Sequence, residues 1–278
     1  MSFLRNLYYL LSPSMRLVAR RIWYFPSDCW DNITGKRDSM VPPKGMIYVG
    51  SGDFTERGND ILDLLVKYAG LMPESSILDI GCGIGRLAVP LTNFLNEKGS
   101  YDGFDIVKKG IDWCNKYITP GYPNFRFLHI DLKNDLYNNK TETEARSFVF
   151  PYKDDIFDCV VLTSVFTHMM PDDVDNYIHQ ISRVMRSGGK CLVTFFLVND
   201  DILKVMEQEN TSFVFNHSFG NYLLMDKSVK EANVAYKEYF LHGLYDKYGL
   251  KQEEVYYGQW SGSDNGVSFQ DVVILSKP

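Results

Sequence analysis

The sequence predicts an α/β fold with a largely parallel sheet, on three observations. Segments of strand and helix character alternate from residue 75 to residue 198. A glycine-rich turn, Gly81-Cys-Gly-Ile-Gly85, joins the first of these strands to the helix that follows it. The chain then closes with two strand-like segments linked by a polar, Gly-rich stretch, an ending that suits an antiparallel edge. Strands that alternate with helices pair in parallel through helical crossovers.

The bulk properties fit such a fold. A chain of 278 residues, 45% hydrophobic and 23% charged, is long enough for a sizeable core and ordinary in composition. A net charge of −6 gives no support to a broad phosphate-binding face, so no nucleic-acid partner is expected. The cysteines at 29, 82, 114, 159 and 191 are odd in number and form no CxxC pair. They read as reduced, buried thiols, with neither a disulfide framework nor a metal site. No apolar run reaches the length of a membrane span, and the N-terminus lacks the core and cleavage site of a signal peptide. The expected location is cytoplasmic.

Residues 1–25 stand apart. They carry Arg5, Arg16, Arg20 and Arg21 and no acid. Leu4, Leu7, Tyr8, Leu11, Leu17, Val18, Ile22 and Trp23 follow a helical spacing broken at Pro13. The segment reads as a helix packed on the main domain or on a second subunit, or as an amphipathic contact with a membrane surface. Residues 26–58 read as irregular. Residues 1–58 together form a helical extension and candidate lid, to which Asp53 and Arg57 would contribute, unless they only cap the loop.

The main domain is expected over 59–278. A helix is predicted over Asn59–Gly70, with Ile61, Leu62, Leu64, Leu65 and Tyr68 as its apolar stripe. Strands are predicted at Ser76–Ile80, Tyr101–Ile106, Phe125–Ile130, Phe157–Thr163 and Cys191–Leu197. Helices are predicted at Arg86–Asn96, Gly110–Ile118 and Val174–Met185, the last ended by a left-handed turn at Gly188-Gly189. Residues 199–250 exceed one crossover and read as a substrate-side insertion. It is rich in aromatics, including Phe213, Phe215, Phe219, Tyr222, Tyr236, Tyr239 and Phe240, which form a core or line an acceptor pocket. Trp260, with Ser261, is a further candidate for that wall. Glu253–Tyr257 and Gln270–Leu275 make the closing hairpin.

The chemistry concentrates around the glycine turn. Gly81, Gly83 and Gly85 let the backbone turn sharply and approach a ligand, and the next helix offers free N–H groups. Gly83-Ile-Gly-Arg-Leu-Ala88 also fits a dinucleotide fingerprint, which keeps a nicotinamide-dependent oxidoreductase as an alternative. Asp105 ends the second strand about 20 residues on, where a carboxylate accepts from ribose hydroxyls of either ligand type. Asp79 suits the cationic end of an amino-acid-bearing cofactor and would repel a pyrophosphate. Asp131, at the end of the third strand, is placed to accept from an adenine amino group. The antiparallel ending is unusual for a plain dinucleotide-binding sheet.

With these residues in view, the sequence resembles the class I S-adenosylmethionine (SAM)-dependent methyltransferase family. The matching stretches are Ile77–Arg86, Phe104-Asp-Ile106, His129-Ile-Asp131, Phe157–His168 and Arg183–Lys190. They span about residues 46–198 in the family's order. The resemblance implies a Rossmann-like seven-stranded mixed sheet of order 3-2-1-4-5-7-6, strand 7 antiparallel, flanked by helices. It implies SAM as cofactor and S-adenosylhomocysteine as product. Gly81, Gly83 and Gly85 would flank the methionine part, Asp105 with Ile106 the ribose, Asp131 and the Leu132 backbone the adenine, and Thr163 the sulfonium end.

His168, five residues after Thr163, is the candidate general base, since its ordinary pKa lies near neutrality. Its alternative is a histidine bonded within its own loop. Arg86 either pairs with a carboxylate or meets an anionic substrate. The expected function is methyl transfer to a small-molecule acceptor, preferably an oxygen of a sugar, lipid-linked or secondary metabolite. A SAM-binding partner protein without catalysis is a third reading. Leu162-Thr-Ser-Val165 stands where amino-methylating enzymes of nucleobases and protein glutamine carry an Asn/Asp-Pro-Pro-Tyr/Phe motif.

Overall fold

The computed structural model describes residues 13–48, 50, 52–134, 141–208, 211, 213–227, 229–263 and 265–278. The readings placed on Leu4, Arg5, Leu7, Tyr8 and Leu11, and on the side chains of Arg16 and Leu17, lie outside the described residues.

The main sheet has seven strands: β1 (Ser76–Ile80), β2 (Ser100–Asp105), β3 (Phe125–His129), β4 (Phe157–Leu162), β5 (Met185–Phe195), and near the C-terminus β10 (Lys251–Tyr256) and β11 (Asp271–Ser276). Their order is β3-β2-β1-β4-β5-β11-β10. Pairings are parallel from β3 through β5, and β11 runs antiparallel to both β5 and β10. This is the seven-stranded order expected, with the penultimate position taken by the last strand of the chain. Both faces are covered. Leu78, Ile80, Val160, Leu162 and Val193 pack against helix α5 (Pro171–Val184). Ile77, Cys159, Val161 and Leu192 pack on the other face, with α3 (Ala88–Phe94) and α4 (Lys108–Tyr117). Burial on both faces is why these strands read as nearly continuous apolar runs.

The local differences from expectation have physical causes. Helix α1 runs Pro13–Ile33, through residues read as irregular. Pro13 is its first described residue, a position that tolerates proline because a first-turn residue needs no N–H partner. Helix α2 begins at Phe54, not Asn59, and runs to Leu64 before a π-type turn at Leu65–Ala69. Asp53 caps it, accepting from the Thr55 and Glu56 N–H groups at 2.9 Å each. Helix α5 ends at Val184, four residues before the predicted glycine turn. Phe157 pairs with Met185 but Cys159 with Lys190, so Arg186–Gly189 bulge out of β5, with Gly188 left-handed.

The region after β5 holds a second, four-stranded sheet that the sequence reading did not separate. Its strands are β6 (Leu197–Val198), β7 (His217–Ser218), β8 (Tyr222–Leu224) and β9 (Val234–Lys237), in the order β6-β9-β8-β7. Helix α6 (Asp200–Glu207) lies between β6 and β7 in sequence, and α7 (Glu238–Lys247) follows β9. A separate apolar cluster of Phe196, Val198, Phe215, Leu223 and Trp260 lies beneath it. Trp260 and Ser261 are buried there, so they do not form an exposed acceptor wall.

Candidate functional site

The glycine turn leaves β1 at the C-terminal edge of the sheet, next to β2 and β4. Gly81 and Cys82 donate their N–H groups to the Phe104 carbonyl at 2.9 and 3.1 Å. Gly83 donates to Asp105 Oδ2 at 2.9 Å, and Val107 donates to Asp105 Oδ1 at 2.7 Å. Asp105 therefore shapes the turn as well as ending β2. Gly81, Gly83 and Gly85 are all left-handed, with φ of 77°, 61° and 83°. At Gly81 a Cβ would also meet Val165 Cγ2 at 2.4 Å. Gly110, at the start of α4, lies so close that a Cβ would meet the Gly83 carbonyl oxygen at 2.4 Å.

Asp79 is buried one residue before the end of β1 and accepts from the Tyr101 hydroxyl at 2.7 Å. Burial pushes its pKa up to about 7, the Tyr101 hydrogen bond lowers it and nearby Asp105 raises it. Asp105 is also raised, again chiefly by burial. Two buried carboxylates, one of them bonded to a phenol, make an electronegative floor under the turn. That floor favours a ligand with a cationic part and opposes a pyrophosphate. Hence the residues present fit a sulfonium- and ammonium-bearing nucleoside.

The other expected site residues fall around this floor. Ile106 packs partly against the core, and its carbonyl lies 3.3 Å from His129 Nε2. Asp131 is exposed just beyond β3. The Leu132 side chain is buried in the core, which leaves its backbone as the part able to meet a ligand. Thr163 is half-buried at the end of β4.

His168 lies in a short 3₁₀ turn, Phe166–His168, after β4. Its Nδ1 lies 2.9 Å from the Glu231 carbonyl oxygen, far along the inserted segment rather than within its own loop. A carbonyl only accepts, so this nitrogen carries the proton. Burial lowers the imidazole pKa, against the Glu231 and Ala232 carbonyls that raise it. A neutral imidazole at neutral pH follows.

The sequence reading missed two groups at the same sheet edge. Ser164 is left-handed without being glycine, with φ of 59°. Its N–H donates to Thr194 Oγ1 at 2.8 Å, its hydroxyl donates to Gln270 Oε1 at 3.0 Å, and Thr194 donates to the same oxygen at 2.7 Å. This network ties β4, β5 and β11 together and directs Val165 onto Gly81. Strain held in place by hydrogen bonds is characteristic of working sites. Asp271, fully buried, accepts from Leu197 N, Gly258 N and Trp260 Nε1 at 2.6, 2.6 and 2.8 Å. Burial, opposed by these donors, leaves its pKa at about 6. No local motif marks either group, because their partners lie 11 to 106 residues away in sequence.

Part of the N-terminal segment packs against the turn. Tyr48 lies against Gly110, and Arg21, Met46, Tyr48, Ile84 and Lys109 line a narrow cleft there. The Arg86 guanidinium stacks over Phe54 at 5.6 Å. Burial and then the charges of Arg57 and Arg20 lower its pKa, with Asp53 opposing. Asp53 and Arg57 serve α2 as its cap and as the partner of Asp60 at 3.1 Å. A roomier cleft of about 390 Å³ lies between residues 69–75 and 186–190, at the opposite edge of the sheet from the glycine turn.

Comparison with known proteins fits this geometry. Residues 77–189 match the family model described as a methyltransferase domain. A ubiquinone/menaquinone biosynthesis C-methyltransferase of Wigglesworthia glossinidia brevipalpis is 27% identical over 134 residues, 48% of each chain. A tRNA N(3)-cytidine methyltransferase of Gallus gallus is 26% identical over 45% of this chain and 31% of its own. The chain thus spans about half or less of the length of these curated relatives. Among solved structures, a Pyrococcus horikoshii OT3 protein aligns with a TM-score of 0.57 at 17% identity, over 84% of this chain and 95% of its own. The magnesium protoporphyrin IX methyltransferase of Synechocystis PCC 6803 aligns with a TM-score of 0.52 at 14% identity, over 91% and 99%. At these identities the structural likeness establishes the fold.

Proposed function

We propose that this chain, whose residues 77–189 match the methyltransferase-domain model, is a class I SAM-dependent methyltransferase that transfers a methyl group from SAM to a small-molecule acceptor, leaving S-adenosylhomocysteine. The observation that carries this reading is the left-handed glycine turn pinned to Asp105 above buried Asp79. Asp105 retains a lone pair for a ribose hydroxyl beyond its backbone donors Gly83, Ile106 and Val107. Asp131 and the Leu132 backbone would meet the adenine. Asp79 would complement the cationic end through the field of the floor, and Thr163 would lie beside it.

When bound, SAM supplies a methyl group already made electrophilic by its sulfonium. What remains for the protein is to align the acceptor, exclude water and remove a proton where the acceptor carries one. Alignment alone is worth on the order of 7–11 kcal/mol in well-oriented systems. His168 is the proposed base. Its neutral imidazole matches proton abstraction from a hydroxyl, which is why we favour an oxygen acceptor. The quinone-pathway relative names carbon as its methylated atom, and the tRNA relative names a nucleobase nitrogen. A carbon of an amphiphilic ring is therefore the second reading, and a nucleic-acid acceptor stands as a third despite the acidic charge balance.

The test is direct. Calorimetry with SAM, S-adenosylhomocysteine and NAD should show heat for the first two only. Incubation of acceptor mixtures with isotope-labelled SAM, followed by mass analysis, should identify a methylated small molecule. Heat from NAD alone would overturn the reading in favour of an oxidoreductase. SAM binding with no labelled product from any acceptor class would leave a binding partner protein in its place.

A further inference from the structure

Helix α1 turns its polar side to the protein and its apolar side to solvent. The inner side is tied to the Lys44–Met46 turn. Asp28 accepts from Lys44 N and Gly45 N at 2.7 and 3.0 Å, Asp31 pairs with Lys44 Nζ at 2.9 Å, and Arg20 donates to the Lys44 carbonyl at 3.3 Å. The packing is close, since a Cβ on Gly45 would meet the Arg21 Cα at 2.9 Å. At about 100° per residue, Val18, Ile22, Phe25 and Ile33 share the outer side, with Trp23 and Trp30 along one flank. All six are exposed, Trp23 by 80%, Ile33 by 79% and Ile22 by 71%. An amphipathic helix normally buries its apolar stripe against its own domain. Here carboxylates do the docking, and a contiguous apolar face is left outward, which marks an interaction surface.

We propose that this face rests on an anionic lipid bilayer. Charge complementarity selects that occupant. Residues 1–27 contain four arginines and neither lysine nor acid, within a chain of net charge −6. An anionic surface attracts this end and repels the remainder, which orients the molecule. A second copy docked face to face would bring two such basic segments together at a cost. Tryptophans at the edge of an apolar face suit the headgroup boundary, where one part of the ring is wet and the other is not. No helix among the described residues is long and apolar enough to cross a membrane, so α1 lies on the surface. Its Arg21 also lines the cleft shared with Ile84 of the glycine turn. The bilayer would therefore sit beside the cofactor end of the sheet, within reach of an amphiphilic acceptor.

The experiment needs neither cofactor nor acceptor. The whole protein is floated with phosphatidylcholine vesicles and with vesicles that also contain phosphatidylglycerol. It should rise with the anionic vesicles, and added salt should release it. Tryptophan emission should shift to the blue on binding. Of the four tryptophans, Trp113 and Trp260 are already buried, so the shift reports Trp23 and Trp30. Ile22→Glu with Trp30→Glu should cut partitioning by at least about a hundredfold, since two large apolar side chains leave the bilayer and two charges enter it. Both positions are exposed, so circular dichroism and SAM binding should be unchanged in this variant. Absence of flotation with the anionic vesicles would overturn the proposal. So would a wild-type dimer in sedimentation equilibrium that the double variant dissociates, because the face would then belong to a second copy. Vesicle binding without SAM binding would uphold this inference and reject the proposed reaction.

Discussion

Asp79 gives the proposed site its clearest pH signature. Its folded-state pKa of about 7 lies above the ordinary 3.8 of an unfolded carboxyl. The folded chain thus holds a proton that the unfolded chain has released. The stability this confers is complete below about pH 4 and is lost as pH rises toward 7. A cationic ligand prefers the ionised form, so SAM affinity should strengthen as pH rises through 7. In calorimetry at pH 6 and pH 8 the wild type should bind more tightly at pH 8, and Asp79→Asn should flatten the dependence and bind more weakly throughout. An equal affinity of wild type at both pH values would remove Asp79 from cofactor recognition. His168→Ala should depress turnover a hundredfold or more with SAM affinity kept, if the imidazole is the base. Unchanged turnover would leave it the structural task of holding Glu231. Asp271→Asn replaces one accepting oxygen by an NH₂ that faces a backbone or indole donor. It should cost about 1–3 kcal/mol of stability, read from denaturant melts. Asp79, Asp105 and the glycines were readable because they stand at fixed offsets in one motif. Asp271, Ser164 and Gln270 were not, because their partners lie 11 to 106 residues away, outside any one motif.

Elements were legible where burial on both faces imposed a continuous apolar run. Strand β1 has the predicted bounds, β2, β3 and β4 differ by one residue at their ends, and β5 runs Met185–Phe195, starting six residues before the predicted Cys191. The start of α2 was displaced because its signal is a cap, Asp53, rather than the apolar stripe beyond it. Asp53→Ala should cost about 1 kcal/mol and lower the melting temperature, without altering turnover beyond that loss. The turn after β1 is less forgiving. Gly81→Ala would hold a Cβ in a left-handed backbone, at roughly 1–2 kcal/mol, and press it into Val165. Binding of SAM should fall more steeply than stability does, as calorimetry and thermal melts on the same preparation would show. The strands of the second sheet have two to four residues each, too short for a period of two to emerge from turns and polar neighbours.

At the scale of the molecule, the second sheet joins the first through Leu224, Val234 and Tyr236, which pack in the main core, and through a polar junction at Asp271. Asp271, opening β11, binds the first residue of β6 and the Trp260 indole, and Trp260 fills the small core. Trp260→Ala should cost about 3–5 kcal/mol in a denaturant melt and loosen the inserted segment that holds His168. The strand order was legible only through the resemblance to a known family, whereas the alternation of strands and helices, the glycine turn and the strand-end carboxylates were determined by the sequence by itself. These follow from local chemistry, because strand periodicity, turn glycines and strand-end acids act within a few residues of themselves. Only the tertiary structure decided which way α1 faces, that Trp260 is core rather than wall, and that His168 leans on the insertion. Those outcomes depend on which surfaces meet, and a helix carrying both carboxylates and tryptophans can dock by either side until its neighbours choose.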